Sequence, residues 1–234
     1  MRHGHRQDEE QRSWHEFAEH PWNPPLSALG RKQARAAGEK MKALGIEYII
    51  TSPFLRCLQT SSEIVSAMGL AHGQWLLDWG MAEMCEPRLL FAGRPELLPS
   101  IADRPILEWM WDGMDTKAAV ESFLKTETPI SGVTISPVLW NLTTPVFPET
   151  MPAALQRYQR QILTTMREFE GRKVLVVSHG EAVRAAVNHI QEESLVYEVD
   201  HTGYAPLLRQ KSAGKWQRWK LDAASGQTGV SWYD

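Results

Sequence analysis

A short apolar run that ends in a histidine limits the possible folds of this chain more than any other stretch. Val174–Val177 leads into a Ser-His-Gly triplet that contains His179, and apolar residues then recur at helical spacing over residues 181–190. A buried strand that turns directly into a helix is typical of a parallel sheet, where ligands gather at the carboxyl ends of the strands. The chain is therefore predicted to be an α/β protein with His179 at that edge.

A second strand-to-helix unit lies earlier in the chain. Residues 46–51 predict a strand, Ser52 is expected to be the N-cap, and Pro53 the first helical residue. Arg56 would then lie in the first helical turn and point back toward the strand end. Because strands and helices alternate from end to end, we predict one domain over residues 1–234, a three-layer sandwich with a mostly parallel central sheet.

The start of the chain, Arg2-His3-Gly4-His5-Arg6, has the composition of a phosphate site. A neutral imidazole held in one tautomer can attack phosphorus, and guanidinium groups beside it can hold phosphoryl oxygens by paired hydrogen bonds. Gly4 would let the backbone approach the anion closely, because it has no Cβ. A polar N-terminal tail is the alternative interpretation of so short a motif, and the two strand ends supply the support for the phosphate site.

Together these stretches resemble the histidine phosphatase superfamily, in its phosphoglycerate mutase-like branch 1. The matching motifs, in the family's order, are Arg2-His3-Gly4, Ser52 and Arg56 with Gln59-Thr60, and Ser178-His179-Gly180. Arg6, Asp8 and residues 21–27 further resemble a eukaryotic subgroup related to the suppressor-of-T-cell-receptor-signalling phosphatases and ecdysteroid-phosphate phosphatase.

The resemblance implies a metal-independent phosphomonoester hydrolase with a phosphohistidine intermediate on His3. Phosphate would be bound by Arg2, Arg6, Arg56 and His179. The family's proton donor is an acidic residue in a Leu-x-Glu-like setting after a strand that we place at residues 74–77. Glu83 is the nearest match, with Met81 in the leucine place.

Other assignments of the proton donor stay open at this point. Asp78 and Glu86 compete with Glu83, and a solvated loop carboxylate is the alternative for Glu83 itself. We expect a raised pKa to distinguish the donor from an ordinary carboxylate.

Two positions depart from the family pattern. A central strand precedes the family's Arg-His-Gly motif, whereas only Met1 precedes Arg2 here, so that strand is expected to be missing or truncated and His3 less well supported. His5 stands where the related subgroup usually has an acidic residue, and we expect its side chain to face solvent.

Residues 86–150 show the weakest periodicity, because prolines interrupt them repeatedly. They resemble the variable insertion that lies over the family's active site and determines which leaving group fits. We predict a lid there, with short helices near 107–111 and 118–124.

The composition excludes several classes of protein. With 25 basic and 28 acidic residues the net charge is −3, which argues against a general nucleic-acid binder. Two cysteines make no disulfide framework, and no apolar run reaches the roughly 20 residues that cross a bilayer. We expect a cytoplasmic protein that acts on a phosphorylated substrate and has no membrane partner. A homodimer is the assembly that we consider beside the monomer.

Neither a metal nor a cofactor is expected, because the histidines and cysteines lack metal-ligand spacing. Two other functions remain as alternatives to a phosphatase. One is a phosphoglycerate mutase-type phosphotransferase, and the other is a catalytically weak binding or scaffold protein on the same fold. The substrate is left open among phosphotyrosine proteins, sugar phosphates, nucleotides and steroid phosphates.

Overall fold

The computed structural model describes residues 1–71, 74–91, 96, 138–141 and 143–233. The helices, in chain order, are α1 (Gln7–Glu10), α2 (Trp14–Phe17), α3 (Ala28–Leu44), α4 (Leu55–Met68), α5 (Pro87–Leu90), α6 (Met151–Glu168) and α7 (Gly180–Ile190). The strands are β1 (Tyr48–Thr51), β2 (Trp75–Asp78), β3 (Val138–Asn141), β4 (Val174–Val177), β5 (Leu195–Val199), β6 (Leu207–Leu208), β7 (Lys211–Ser212), β8 (Lys215–Trp216), β9 (Lys220–Leu221) and β10 (Val230–Tyr233). A 3₁₀ turn, Trp79–Met81, follows β2.

Four strands form a parallel sheet in the order β3-β2-β1-β4. β1 lies between β2 and β4, and its Ile49 is in register with Leu175 of β4. Because all four strands run the same way, their carboxyl ends meet at one edge of the sheet. The segments that carry Ser52, Asp78 and His179 all leave from that edge.

The two faces of the sheet are covered by different helices. Leu175 and Val177 of β4 belong to the core that includes residues of α3 and α4, whereas Val176 packs against residues of α6 and α7. This alternation follows from the strand period of two. The predicted three-layer α/β sandwich is thereby confirmed.

The first three residues lie beside the end of β4. His3 N–H donates to Ser178 O (3.0 Å), Ser178 N–H donates to Met1 O (2.9 Å), and Arg2 forms an isolated parallel bridge with Ser178. On the other side Arg2 N–H donates to Gly203 O at 2.9 Å. The first central strand is thus represented here by a three-residue pairing, which nevertheless fixes the backbone of His3 from both sides.

The structure shifts some predicted boundaries. Helix α4 begins at Leu55 with Phe54 as its N-cap, so Ser52 and Pro53 precede the helix rather than open it. The C-terminal residues form β10. It pairs antiparallel with β5 and buries Val230 and Trp232.

The insertion begins and ends at adjacent backbone positions. Glu149 N–H donates to Cys85 O at 2.8 Å, and within the segment β3 adds a parallel strand beside β2. The helices predicted near 107–111 and 118–124 lie outside the described residues. Among the helices that are described, none has the length and apolar character needed to cross a membrane.

Candidate active site

His3 is held in one tautomer in the interior of the site. Its side chain is buried, and its Nδ1 lies 2.8 Å from Gly4 O, so Nδ1–H donates to that carbonyl and leaves Nε2 with a free lone pair. Burial lowers the pKa of His3 well below its ordinary value, and the nearby Arg56 and His179 lower it further. The imidazole is therefore neutral and nucleophilic at physiological pH.

Gly4 is required by its neighbour on helix α3. A Cβ on Gly4 would lie 2.6 Å from the backbone oxygen of Gly30, and Gly4 N–H donates to Thr60 Oγ1 at 3.0 Å. The predicted approach of the backbone to an anion is thus not what requires this glycine. The motif's glycine instead permits close packing of residues 4–5 against the start of α3.

His179 caps helix α7 and lies next to His3. The ring centroids of the two histidines are 5.6 Å apart, and His179 Nε2 is 2.8 Å from Ser52 Oγ. Its Nδ1 lies 3.0 Å from Glu83 Oε2. Burial lowers the pKa of His179 to about 4, although Glu83 opposes this effect.

Arg56 is a buried cation whose hydrogen-bonding capacity is largely unused. Its Nη2 donates to Glu83 Oε2 at 3.0 Å and lies 3.3 Å from His179 Nδ1, and its guanidinium carbon is 4.6 Å from the centre of the Phe54 ring. Among the described residues, no acceptor faces Arg56 Nε or Nη1, and both atoms are buried. Buried donors without partners are costly, so these two groups of the guanidinium are available to an anion.

Glu83 lies between Arg56 and His179 and contacts both. Burial alone would raise the pKa of its carboxyl group, but His179 and Arg56 outweigh burial and hold the pKa well below its usual range. The expectation of a raised pKa for the proton donor is therefore wrong for Glu83 in this structure. An anionic ligand that binds Arg56 and His179 would take the position that the Glu83 carboxylate has in this structure.

The competing carboxylates have structural partners instead. Asp78 is buried, accepts hydrogen bonds from Gly80 N, Asn141 Nδ2 and Gln161 Nε2, and has a pKa raised to about 6 by burial. Glu86 accepts from Leu89 N at 3.0 Å and caps α5. Of the three candidates, only Glu83 is brought to His179 and Arg56.

The two other predicted arginines differ in placement. Arg2 Nη1 donates to Val199 O at 2.6 Å, and its Nη2 lies 3.6 Å from Glu9 Oε1. Burial lowers the pKa of Arg2, and the nearby charge of Arg56 adds to this effect. Arg6 donates twice to Asp8, at 2.9 and 2.8 Å. The contacts of Arg6 are thus with acidic neighbours, and none of them joins it to the histidine pair.

Sequence reasoning missed the polar group formed by Glu9 and His201. His201 Nε2 is 3.0 Å from Glu9 Oε2, and the rings of His201 and His3 are 6.2 Å apart. Although burial opposes it, His201 and Arg6 lower the pKa of Glu9 to about 2. No motif surrounds His201, so its proximity to His3 arises only in the folded chain.

His5 also differs from expectation. Its Nδ1 is 2.8 Å from Ser27 Oγ, and its ring packs edge-on against His201, with centroids 5.2 Å apart. The side chain is only 22% exposed, so the predicted solvent-facing position is wrong.

The charge balance of the site favours an anion. Ligand atoms of His3, Glu83 and His179 all lie within 4.8 Å of one another, a spacing that a metal ion could use. The Arg56 guanidinium, however, contacts two of these groups, and its positive charge opposes a bound cation. That the protein works without a metal stays a prediction.

Fold and site together define a class of protein: a parallel α/β domain with a histidine pair, a buried arginine and a carboxylate at the strand ends. The profile of the histidine phosphatase superfamily (branch 1) matches residues 1–127, which include His3, Arg56 and Glu83. This is more than half of the chain, and the protein belongs to that superfamily. His179 lies beyond the matched range.

Individual relatives are phosphatases and a mutase. The chain is 26% identical over 188 residues to the 2,3-bisphosphoglycerate-dependent phosphoglycerate mutase of Sphingopyxis alaskensis, covering 78% of each chain. A mycobacterial glucosyl-3-phosphoglycerate phosphatase shares the fold with a TM-score of 0.54 and 17% identity, over 95% of both chains. The ecdysone phosphate phosphatase of Bombix mori, a protein of the subgroup named above, has a TM-score of 0.50 at 17% identity, over 95% of this chain and 90% of its own.

Proposed function

We propose that this protein is a metal-independent phosphomonoester hydrolase that forms a phosphohistidine on His3. The observation that carries the proposal is the buried Arg56, whose Nε and Nη1 have no acceptor among the described residues and which lies beside two neutral histidines. A phosphoryl group offers paired oxygens in the geometry that a guanidinium group prefers.

Phosphate binding would replace existing contacts of the site. Two phosphoryl oxygens would accept from Nε and Nη2 of Arg56, which lie on the same side of the guanidinium, while His179 and Arg2 would donate to the others. Glu83 would then lose its bonds to Arg56 and His179, which are both 3.0 Å long in the empty site. The arginines neutralise the developing charge on the phosphoryl oxygens, which is the main requirement of phosphoryl transfer.

In the first chemical step, the Nε2 lone pair of His3 attacks phosphorus in line with the departing oxygen. The N–P bond forms as the P–O bond breaks, and the leaving oxygen takes a proton from Glu83. The Nδ1–H bond of His3 to Gly4 O stabilises the positive charge that develops on the ring. The products of this step are phosphohistidine, the free alcohol or phenol, and ionised Glu83.

Glu83 acquires its proton through ligand binding. In the empty site His179 and Arg56 hold the pKa of Glu83 low. When a dianion takes over both partners and adds negative charge nearby, the pKa of Glu83 rises and the carboxyl group takes up a proton. The same group that is ionised at rest can therefore act as an acid in the complex.

In the second step, a water molecule attacks the phosphohistidine. Glu83, now a carboxylate, removes a proton from that water as the O–P bond forms and the N–P bond breaks. Inorganic phosphate leaves, and His3 returns to its neutral form.

A phosphotransferase is the second candidate, because the relative of Sphingopyxis alaskensis is a phosphoglycerate mutase. Such an enzyme returns the phosphoryl group to the sugar acid instead of to water. Incubation with 3-phosphoglycerate and a trace of 2,3-bisphosphoglycerate distinguishes the two: a hydrolase releases inorganic phosphate, and a mutase forms 2-phosphoglycerate.

The experiment that tests the proposal is hydrolysis of para-nitrophenyl phosphate in the presence of a chelator. Wild-type protein should turn over, whereas His3→Ala should lose activity by at least about 10³-fold, as expected when a covalent nucleophile is removed. His189→Ala, on the outer end of α7, is the matched control and should retain activity.

Turnover that survives in His3→Ala, or that chelator abolishes, would contradict the mechanism. A folded wild-type chain with no turnover on any phosphate ester would favour the binding or scaffold alternative. Cytoplasmic location, the absence of nucleic-acid and membrane partners, and a possible homodimer stay predictions.

A further inference from the structure

A buried ion pair lies behind the loop that carries Glu83. Arg157 on α6 donates through Nε and Nη2 to both oxygens of Glu149, at 2.8 and 2.7 Å. Both side chains are at least nine-tenths buried. Neither residue contacts His3, His179 or Arg56 in the described structure, so the pair has no direct part in the chemistry.

The remaining donors of Arg157 all point at the backbone of the loop. Nη1 donates to Gly80 O (2.8 Å) and to Ala82 O (3.0 Å), and Nη2 makes a longer bond to Glu83 O (3.4 Å). The five N–H groups of the guanidinium thus have five acceptors, three of which are carbonyls of residues 80–83. A lysine could not replace this arrangement, because its single ammonium cannot span these acceptors.

Other side chains complete the same restraint. Tyr158 Oη donates to Ala82 O at 2.7 Å, and Ser178 Oγ donates to Met81 O at 2.7 Å. The four consecutive carbonyls from Gly80 to Glu83 are therefore all fixed by side chains from α6 or from the residue before His179.

Glu149 extends the restraint to the insertion. Its Oε2 accepts from Cys85 N at 3.2 Å, and its own N–H donates to Cys85 O at 2.8 Å. The pair consequently joins three parts of the chain: helix α6, the start of the insertion and its end. Glu83 lies two residues before the point where they meet.

We propose that Arg157 and Glu149 are positioning residues that hold Glu83 at the distance from the leaving-group oxygen that proton donation requires. This inference rests on the proposed function, since it assumes that Glu83 is the proton donor. The inference gives the buried pair a role in the first chemical step in addition to its role in the stability of the fold. Loss of the pair should then lower the rate of hydrolysis most for substrates whose leaving groups need a proton.

Substituted phenyl phosphates provide the test, because they have similar size and differ in leaving-group basicity. para-Nitrophenolate leaves without help, whereas phenolate, whose conjugate acid has a pKa of about 10, needs a proton. In Glu83→Gln the rate on phenyl phosphate should fall far more than the rate on para-nitrophenyl phosphate. Arg157→Lys should shift the ratio of the two rates in the same direction, by about 10- to 10²-fold, part of what a general acid contributes.

A second variant controls for unfolding. Arg157→Met combined with Glu149→Gln removes both charges together. It avoids the unpaired buried ion that a single substitution would leave and that would strongly destabilise the protein. Circular dichroism confirms folding, and the ratio of rates is then read as before. Arg167→Gln, an exposed arginine near the end of the same helix, is the matched control and should leave the ratio unchanged.

The outcomes separate this inference from the proposed function. If Glu83→Gln does not change the ratio, its donor role fails, and the positioning role fails with it. If Glu83→Gln changes the ratio but folded Arg157 variants lower both rates by the same factor, the pair is merely structural and only this inference is overturned.

Discussion

Removing the carboxylate of Glu83 should tighten the binding of an anion while it impairs catalysis. In the empty site Glu83 pairs with Arg56 Nη2 and His179 Nδ1, both at 3.0 Å. A dianion must take over these partners, and it meets a negative charge next to it. Glu83→Gln keeps the shape of the side chain and removes that charge, so the variant should bind sulfate, a non-titrating mimic of a phosphoryl dianion, more tightly than wild type.

The size of the effect follows from the charge of Glu83. If the carboxylate stays ionised about 4 Å from a bound charge, repulsion at an effective dielectric of 20 is about 4 kcal/mol per charge. The alternative is that the Glu83 carboxylate takes up a proton when the anion binds. At pH 7 that costs about 3.4 kcal/mol even for a carboxyl group at its ordinary pKa of 4.5, because each pKa unit is worth about 1.36 kcal/mol, and the pKa of Glu83 is lower still. Protonation is the less costly route for a dianion, so the expected affinity gain in Glu83→Gln is at least about 300-fold.

Calorimetric titration with sulfate between pH 5 and 8 measures this gain. Because proton uptake by Glu83 accompanies binding in wild type, its affinity should rise as pH falls, and the slope of log Kd against pH should exceed that of the variant by one. Glu86→Gln, which removes a carboxylate that caps α5, is the control and should bind as wild type does. Equal or weaker sulfate binding by Glu83→Gln, or equal slopes, would refute the reasoning.

Two further predictions concern stability. Burial raises the pKa of Asp78 from 3.8 to about 6, so the folded protein holds this proton more tightly than the unfolded chain. The contribution of Asp78 to stability should therefore fall by about 2 kcal/mol between pH 4 and 7, and urea unfolding of wild type and Asp78→Asn at both pH values should show this loss in wild type alone. Gly4→Ala forces a Cβ to within 2.6 Å of Gly30 O and should lower the free energy of unfolding by about 1–3 kcal/mol in the same assay. Gly180→Ala is the control and should not destabilise the protein, because its Cβ would meet nothing within 4 Å. Equal effects of the two substitutions would contradict the packing role of Gly4.

Local patterns in the sequence were sufficient for the elements that carry the catalytic side chains. The apolar run before His179 and the helical spacing after it predicted β4 and α7. These features depend on neighbours within a few residues, where strand and helix periods operate. The predicted convergence of His3, Arg56 and His179 followed from strand ends that share one edge of a sheet.

Helix faces were predicted less well than helix positions. Leu29 and Leu44 of α3 and Leu163 of α6 recur at helical spacing with other apolar residues, yet each is about half exposed. Periodicity places a residue on a helix, but the angle at which the helix meets the sheet decides which residues are covered.

The sequence by itself determined which chemical groups stand at the strand ends: two histidines, an arginine and a nearby carboxylate. Only the tertiary structure decided the state of these groups, because a pKa depends on burial and on charges brought from distant parts of the chain. Glu83 is ionised since Arg56 and His179 contact it, and Glu9 and His201 meet only through folding. The ion pair of Arg157 and Glu149, which restrains the Glu83 loop, likewise joins segments whose contact no local pattern encodes.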